Sequence, residues 1–325
     1  MDVPTHHSLL SGTVIAILPL FVLMAAGVVV RRARILDRAA GAALTRFALD
    51  VAVPALILHT LLTKQFNAAF FLLPVTLWAA QAVAILVLLP ASKLLKMNRH
   101  ETGASIFSMF GNTSFLGFPI TTALFPNLLS AAVILDQFGM WLVLNPASVV
   151  VGHIFGEGDP NAVDAGVGRR LLQQMKSPLL IALCLGLSLR GIADFEPNLL
   201  QGPVAQVWLY ALQMLGAAAI PVIMVALGMR LSAGAARRYI VPISALATIK
   251  LIVMPVVCYG VGRFALNLHG SLLSVAVLES AMPPAATSVV FAAQYRLNSD
   301  LAVATFFVLT VASAVTVPLA VSILQ

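Results

Sequence analysis

The stretch GNTSFLGFPI, residues 111–120, decides the fold, because it interrupts an apolar run in which a membrane helix would otherwise continue. The run carries no charged residue from Thr102 to Leu135. Proline lacks an N–H group and its ring clashes with the carbonyl four residues earlier, so Pro119 and two glycines predict a break in the helix. Irregular backbone at membrane depth is tolerated only where protein buries it or where it lines a wet cavity. We therefore expect a functional site here.

A second interruption of the same kind lies downstream, in the segment ESAMPPAATS at residues 279–288. This segment also falls inside an apolar span, and it contains the adjacent prolines Pro283 and Pro284. Two interrupted spans in one chain are a good sequence indication of the binding site of a transporter.

The composition of the chain is that of a polytopic membrane protein. Of 325 residues, 60% are apolar and 10% are charged, and the mean hydropathy is +1.00. Soluble domains carry roughly 25% charged residues. The net charge of +7 arises from basic residues in short loops, which indicates membrane topology rather than a nucleic-acid partner. The sequence contains no pattern that indicates a cofactor or a metal ion.

Ten spans are predicted, all but the sixth long enough to cross the hydrocarbon core, which takes about 20 helical residues. They are residues 9–30, 41–63, 69–91, 101–125, 129–154, 177–192, 204–229, 239–262, 271–294 and 300–324. The loop between the fifth and sixth spans divides the chain into two halves of five. The predicted parts are therefore a first half at 1–155, a cytoplasmic linker at 156–176 and a second half at 177–325.

The distribution of lysine and arginine predicts the orientation of the spans. Of the 19 basic residues, 15 fall on the side that follows spans 1, 3, 5, 7 and 9, three fall on the other side, and Lys250 lies within span 8. Basic loops face the cytoplasm. Both termini are therefore expected outside.

Prolines at matching positions indicate that the two halves are repeats. Pro54, Pro74 and Pro119 in the first half correspond to Pro221, Pro242 and Pro283 in the second, at offsets of 167, 168 and 164 residues. Because five spans is an odd number, the second half must be inserted upside down relative to the first. This is the inverted-repeat plan of secondary transporters, in which the site lies at the repeat interface.

The two interrupted segments resemble the crossover motifs of the auxin efflux carrier family, which includes plant auxin exporters and bacterial malonate and malate carriers. NTSFLGFP at 112–119 is similar to the first crossover, and ESAMPP at 279–284 followed by FAAQY at 291–295 is similar to the second. KLIVMP at 250–255 also resembles the pattern of span 8 in that family. Glu279 and Pro284 stand where plant members often have neutral polar residues, which argues against auxin as the substrate.

The resemblance implies an all-α fold of ten transmembrane helices, arranged as two inverted repeats, in which broken helices 4 and 9 cross near the membrane centre. It also implies a homodimer in the lipid bilayer. Helices 1, 2, 6 and 7 would form a scaffold, and helices 3–5 and 8–10 a moving transport domain. Because the chain has no long central loop, as in bacterial members, we expect it in the bacterial cytoplasmic (inner) membrane.

Three ionisable residues within spans, Lys250, Glu279 and Asp136, are candidates for a charge or coupling role, since an ionisable group at mid-membrane costs roughly 2.5–3.5 kcal/mol on insertion scales. Lys250 either supplies positive potential to an anion site or pairs with a nearby carboxylate or with carbonyls of a broken helix. Glu279 is either a proton acceptor or the structural partner of Lys250.

Polar residues of span 5 form a further candidate group with two interpretations. Asp136 and Gln137 belong either to the site or to a solvated helix start near the outer side. Asn145 faces the crossover or makes a hydrogen bond between helices.

The predicted chemistry is the binding of an anion at the tips of broken helices. Pro119 and Pro283 or Pro284 are well placed in the first turn of the second half-helices. N-terminal N–H groups that face one cavity would favour a carboxylate. Further side chains from the crossover complete the candidate substrate-binding set: Asn112, Thr113, Ser114, Pro119, Gln137, Asn145, Met282, Pro283 and Pro284.

These features predict a secondary transporter of a small organic anion such as malonate or malate, working by an elevator-type movement. Alternatives are a sodium-coupled symporter of the bile-acid-transporter type, an exporter of auxin-like monocarboxylates and a receptor built on a transporter fold. An enzyme is not expected, because the acidic residues are scattered, the histidines do not cluster and no G-x-S-x-G or H-E-x-x-H motif occurs.

Overall fold

The regular secondary structure in the described part of the chain is helical. The computed structural model describes residues 6–64, 67–157, 172, 176–230 and 236–324. Within these ranges there is no β-strand, and the chain forms only an isolated bridge between Gly111 and Pro284. This is expected of a chain in lipid, where a helix satisfies its own backbone hydrogen bonds. Most of the predicted linker, including Arg169 and Arg170, lies outside the described residues.

Sixteen α-helices follow one another along these ranges. In chain order they are α1 (His6–Arg32), α2 (Arg38–Phe47), α3 (Val53–Thr63), α4 (Leu73–Leu94), α5 (Arg99–Phe107), α6 (Phe118–Leu124), α7 (Leu129–Ile134), α8 (Leu142–Phe155), α9 (Pro178–Phe195), α10 (Pro203–Ala217), α11 (Ala219–Arg230), α12 (Ile240–Thr248), α13 (Met254–Gly260), α14 (Gly270–Ser280), α15 (Ala286–Gln294) and α16 (Ser299–Leu324). Three π-helical segments join consecutive α-helices without a break, at Ala48–Ala52, Leu135–Trp141 and Ile249–Val253, while Thr113–Gly117 directly precedes α6 and Val261–Ala265 directly follows α13. Short 3₁₀ helices lie at Ala68–Leu72 and Pro197–Leu200.

Seven helical segments of the described chain are long and apolar enough to cross a membrane. They are Ala39–Thr63, Ala68–Leu94, Leu129–Phe155, Pro178–Phe195, Pro203–Arg230, Ile240–Ala265 and Ser299–Ala320. Thr113–Leu124 and Gly270–Ser280 are apolar but too short to cross alone. The prediction of an all-helical, multi-pass membrane protein is confirmed.

The two predicted interruptions lie against each other. Helix α5 ends at Phe107 and the chain becomes helical again at Thr113, while α14 ends at Ser280 and α15 begins at Ala286. The N–H of Asn112 donates to the carbonyl of Pro283 at 2.8 Å, and the N–H of Ala285 donates to the carbonyl of Phe110 at 2.8 Å. Each interruption therefore satisfies backbone groups that the other leaves free.

The prolines occupy the positions that the sequence predicted only in part. Pro119 is in the first turn of α6, but the π-helical segment Thr113–Gly117 already precedes it, so the half-helix starts earlier. Pro283 and Pro284 lie in the non-helical segment ahead of Ala286, rather than in the first turn of α15. Their rings keep these residues out of the helix, because neither nitrogen can donate a hydrogen bond.

Close packing of small residues joins the helices around the interruptions. Helix α1 packs along α11, where a Cβ on Gly27 would overlap the carbonyl of Val225 and a Cβ on Gly228 would overlap the carbonyl of Met24. Such close backbone approach is typical of helix pairs in membranes. Helix α3 packs against α9 and α10, and α15 packs against α5 and α16. These contacts enclose the paired interruptions within protein.

Candidate functional site

The candidate site is centred on Asn112, at the point where the two interruptions meet. The Asn112 side chain is buried, and its backbone carbonyl accepts hydrogen bonds from the N–H groups of Leu116 and Gly117, both at 3.1 Å. Its amide nitrogen Nδ2 has no hydrogen-bond partner among the described residues. Because a buried amide left unpaired is costly, this donor is available to a ligand at little further cost. Met282, Pro283 and Pro284, also predicted for the site, are buried beside it in the second interruption.

Asp136, in span 5, accepts hydrogen bonds from two residues of the first half-helix and so helps to fix its position. Its carboxylate is fully buried and accepts hydrogen bonds from the hydroxyls of Thr113 and Ser114, the latter at 2.6 Å. The second carboxylate oxygen accepts from the Nε2 of Gln137 at 2.6 Å. The interpretation of Asp136 and Gln137 as a solvated helix start is therefore wrong. The sequence could not show this, because the pairs to Thr113 and Ser114 connect residues 22 and 23 positions apart.

Glu279 faces the first interruption from the end of α14. The side chain is fully buried, and its Oε1 accepts a hydrogen bond from the hydroxyl of Thr121 at 2.8 Å. Its Oε2 has no partner among the described residues. A Cβ placed on Gly117 would overlap this carboxylate, so the absence of a side chain at Gly117 makes room for it. Glu279 thus contacts the half-helix that follows Asn112.

Lys250, in the π-helical segment Ile249–Val253, contacts the C-terminal end of α14. Its fully buried ammonium donates to the carbonyl of Ser280 at 3.1 Å and lies 3.3 Å from the sulfur of Met254. The ion pairs of the described residues are Arg190–Asp194 and Arg296–Glu157, so the predicted pairing of Lys250 with Glu279 is not formed. The ammonium instead contacts a carbonyl at the end of an interrupted helix. A cation at this position complements the partial negative charge of a helix C-terminus.

Three π-helical segments carry most of these polar residues. Thr113–Gly117 contains Thr113 and Ser114, Leu135–Trp141 contains Asp136 and Gln137, and Ile249–Val253 contains Lys250. A π-helical turn inserts a residue into an α-helix and is frequently found at functional sites. The extra residue changes which face of the helix each following side chain occupies. We infer that these turns are what directs the charged groups inward.

Two further residues of the predicted set, Pro119 and Asn145, lie on the α-helices that follow the π-helical segments. Pro119 is buried in α6. Asn145 is half buried on α8, beyond the π-helical segment that carries Asp136, and its carbonyl accepts from the hydroxyl of Ser148 at 2.7 Å.

Two contributing residues, and one buried amide elsewhere in the described chain, were absent from the predicted set. Thr121 bonds Glu279, and Gly117 makes space for it. Gln81 is buried in α4 with neither amide atom partnered among the described residues. A polar amide within an otherwise apolar span was the sequence signal for Gln81, whereas the pairing of Thr121 with a residue 158 positions away had no sequence signal.

A cavity of about 420 Å³ opens beside the second interruption. It reaches Ala286, the first residue of α15, and lies between α15 and α16 on one side and α1, α2 and α11 on the other. Arg31 and Arg230, at the ends of α1 and α11, both line it. The cavity therefore joins two cationic side chains to the N-terminus of a half-helix, and both features favour an anion.

The described residues contain no group of three or more histidine, cysteine, aspartate or glutamate side chains that could hold a metal ion. The ionisable groups at the site are two carboxyls and one amine, all fully buried. Burial of this kind is expensive and in membrane proteins marks functional residues.

Comparison with known proteins places the chain in a family. A family model described as membrane transport protein matches residues 13–155 and 167–321. An uncharacterized transporter of Methanothermobacter thermautotrophicus is 25% identical over 95% of this chain and 97% of its own length. An uncharacterized transporter of Methanocaldococcus jannaschii is 27% identical over 85% of this chain and 87% of its own length. The mouse lysosomal cholesterol signaling protein is 26% identical over 92% of this chain but only 36% of its own length.

The match covers both halves of the chain and both interruptions. Two of these relatives are described as transporters, and the alignments cover 97% and 87% of their lengths. Together with the buried polar residues at the paired interruptions, the match identifies the protein as a multi-pass membrane transporter. The chain belongs to the membrane transport protein family, which is that of the auxin efflux carriers.

Proposed function

We propose that the protein is a secondary transporter of small organic anions, with a short dicarboxylate such as malonate or malate as the substrate class. The observation that carries the proposal is the unpartnered amide of Asn112 at the contact between two interrupted helices. A carboxylate there would accept from this amide. Lys250, buried beside Ser280, supplies the positive potential.

The transport step in this proposal is an elevator-type movement of one group of helices against another. We propose ten spans in two inverted five-helix repeats, at 1–155 and 177–325 with a cytoplasmic linker between them, and with spans 4 and 9 interrupted at the crossing. Spans 1, 2, 6 and 7 form the scaffold, and the other six carry the substrate. The cavity between α15 and the helices α1, α2 and α11 supports this division, because it lies where the two groups would slide.

The proposal extends to assembly and location. We propose a homodimer formed through scaffold helices in the bacterial cytoplasmic membrane, with both termini outside. Helix α10 supports the dimer, because Val204, Val207 and Trp208 expose 67% or more of their surface along it. A large exposed apolar face on a scaffold helix suits a partner subunit as well as lipid.

Sodium-coupled symport is a second candidate, and one observation favours it. The Oε2 of Glu279 and the Oε1 of Gln137 have no partners among the described residues, and both are buried near the same crossing. Oxygen atoms of this kind are ligands for hard cations. Flux that requires sodium, and that is not restored by potassium or by a pH gradient, would favour this candidate.

The proposed function is tested by counterflow in liposomes that contain the purified protein. A panel of monocarboxylates and dicarboxylates is offered with and without a pH gradient. We expect saturable uptake of at least one dicarboxylate, reduced by about tenfold or more in Asn112→Ala, which corresponds to loss of ~1.4 kcal/mol of binding. Pro283→Ala is expected to reduce the uptake as well, because alanine regains an N–H and allows helix to form at this position, which would move the carbonyl that accepts from the N–H of Asn112. No saturable anion flux, or flux unchanged in both variants, would overturn the proposal.

Lys250→Met should separate anion affinity from stability. The ammonium contacts a carbonyl and a sulfur but no carboxylate among the described residues, so an apolar residue of similar length is expected to leave the unfolding temperature unchanged or higher. The KM for the anion is expected to rise about tenfold, a loss of ~1.4 kcal/mol. The exposed Lys93 provides the control, since Lys93→Met should change neither quantity. A Lys250→Met protein with normal KM would rule out the proposed role.

A further inference from the structure

An apolar groove of about 680 Å³ lies between α13, α14 and α16. Ile252, Val256 and Val277 are among the side chains that line it. Val256 and Ile252 expose 64% and 59% of their surfaces, so the groove is open at its side. In a membrane-spanning part of the chain, such an opening faces lipid.

One end of the groove is polar and cationic. Arg263 and His269 line this end, and the Nη1 of Arg263 lies 2.8 Å from the Nδ1 of His269. The Nε2 of His269 lies 2.8 Å from the Oδ1 of Asn267, so the ring donates to Asn267 and accepts from Arg263. No carboxylate of the described residues forms an ion pair with Arg263. Its guanidinium therefore has no neutralising carboxylate among the described residues, and its fork carries five N–H donors.

The dimensions of the groove fit one leaflet of a bilayer. The helical segment from Ile252 to Arg263 advances roughly 16 Å at about 1.5 Å per residue. Half of the hydrocarbon core measures about 15 Å. An acyl chain can therefore lie along the groove while its headgroup reaches Arg263.

A hydroxyl inside the groove has no partner of its own. The Oγ1 of Thr316, on α16, is buried and makes no hydrogen bond to the described residues. Thr316 can donate to an ester oxygen of a glycerolipid, which an apolar occupant could not use. The groove thus offers an apolar wall, a buried hydroxyl and an unneutralised guanidinium.

We propose that this groove binds a phospholipid with an anionic headgroup, whose phosphate is held by Arg263 and whose acyl chain lies against Ile252, Val256 and Val277. Guanidinium groups form strong hydrogen bonds with phosphate, and a basic side chain near the membrane surface adds about 1 kcal/mol of attraction for anionic lipid. The site is independent of the transported anion, because its residues are distinct from those around Asn112.

The test uses the purified full-length protein, delipidated and then mixed with phosphatidylglycerol or phosphatidylcholine carrying identical acyl chains. Binding is measured by native mass spectrometry and thermal unfolding. We expect phosphatidylglycerol to be retained in preference and to raise the unfolding temperature by roughly 3 °C or more relative to phosphatidylcholine. In Arg263→Gln the preference should fall about fivefold, the equivalent of ~1 kcal/mol.

Three further arms make the result decisive. Val256→Trp, which fills the groove without touching its cationic end, should reduce retention of both lipids. Lys64→Gln removes an exposed cation outside the groove and should change nothing. Inorganic phosphate alone should not stabilise the protein. Equal retention of the two lipids, an equal loss in Lys64→Gln, or stabilisation by inorganic phosphate that matches phosphatidylglycerol would each overturn the proposal.

Discussion

Asp136→Ala is expected to abolish transport and to lower the temperature of thermal unfolding by roughly 5 °C or more. The carboxylate accepts hydrogen bonds from Thr113, Ser114 and Gln137, and it is fully buried. Alanine leaves those three donors without a partner, and each orphaned buried donor costs about 1–3 kcal/mol. Because two of the donors belong to the first interruption, the backbone beside Asn112 should also lose its position. Unfolding is measured by intrinsic fluorescence and transport by counterflow.

Asp50→Ala is the control for this prediction. Asp50 is also an acidic residue within a membrane-spanning segment, but its side chain is exposed. Its replacement should change the unfolding temperature little. The unfolding temperature of Asp136→Asn should lie between those of Asp136→Ala and Asp50→Ala. The amide keeps one acceptor oxygen but places an N–H donor against the remaining donors. Asp136→Ala protein that unfolds and transports like the wild type would contradict the hydrogen-bonded arrangement around Asp136.

Gly117→Ala is expected to destabilise the protein by about 1–3 kcal/mol and to reduce flux by about tenfold or more. The added Cβ would overlap the carboxylate of Glu279. That carboxylate is fully buried and bonded to Thr121, so it has little space into which to move. The clash should be relieved by pushing the half-helix that contains Gly117 away from α14. Thermal unfolding and counterflow measure the two effects.

Gly260→Ala supplies a matched comparison. Gly260 is also a helical glycine in a membrane-spanning segment, but no atom lies within 4 Å of the position its Cβ would take. Alanine there should be neutral or stabilising by about 0.5–1 kcal/mol. Removal of the carboxylate should rescue the first variant, so Gly117→Ala is expected to cost less in a Glu279→Ala background. An equal cost in both backgrounds would mean that Glu279 does not occupy the space beside Gly117.

The positions of the interruptions could be predicted because they follow from local chemistry. Pro283 and Pro284 cannot donate hydrogen bonds and lie in the second interruption, whereas Pro119 lies in the helical run Thr113–Leu124, just after the first interruption. The apolar runs on either side set the approximate bounds of the spans. The start of the half-helices was less well predicted, because a π-helical turn begins at Thr113, ahead of the proline that was expected to start the helix.

The partners of the buried polar groups could not be predicted, because they depend on contacts between distant parts of the chain. Asp136 was open to two interpretations, since its depth depends on a π-helical turn that hydropathy does not reveal. Lys250 meets a carbonyl of Ser280 rather than the nearby Glu279. Both outcomes are decided by how α14 and the span-5 helix pack against the first interruption.

In the proposed mechanism an anion binds at the contact between the two interrupted helices, through the free amide of Asn112. This mechanism is tested most directly by equilibrium binding of the radiolabelled carboxylate that gives the largest counterflow, measured on the purified protein in detergent. We expect saturable binding to the wild type, weakened about tenfold or more in Asn112→Ala without a change in unfolding temperature. Equal affinity in the two proteins would contradict the account.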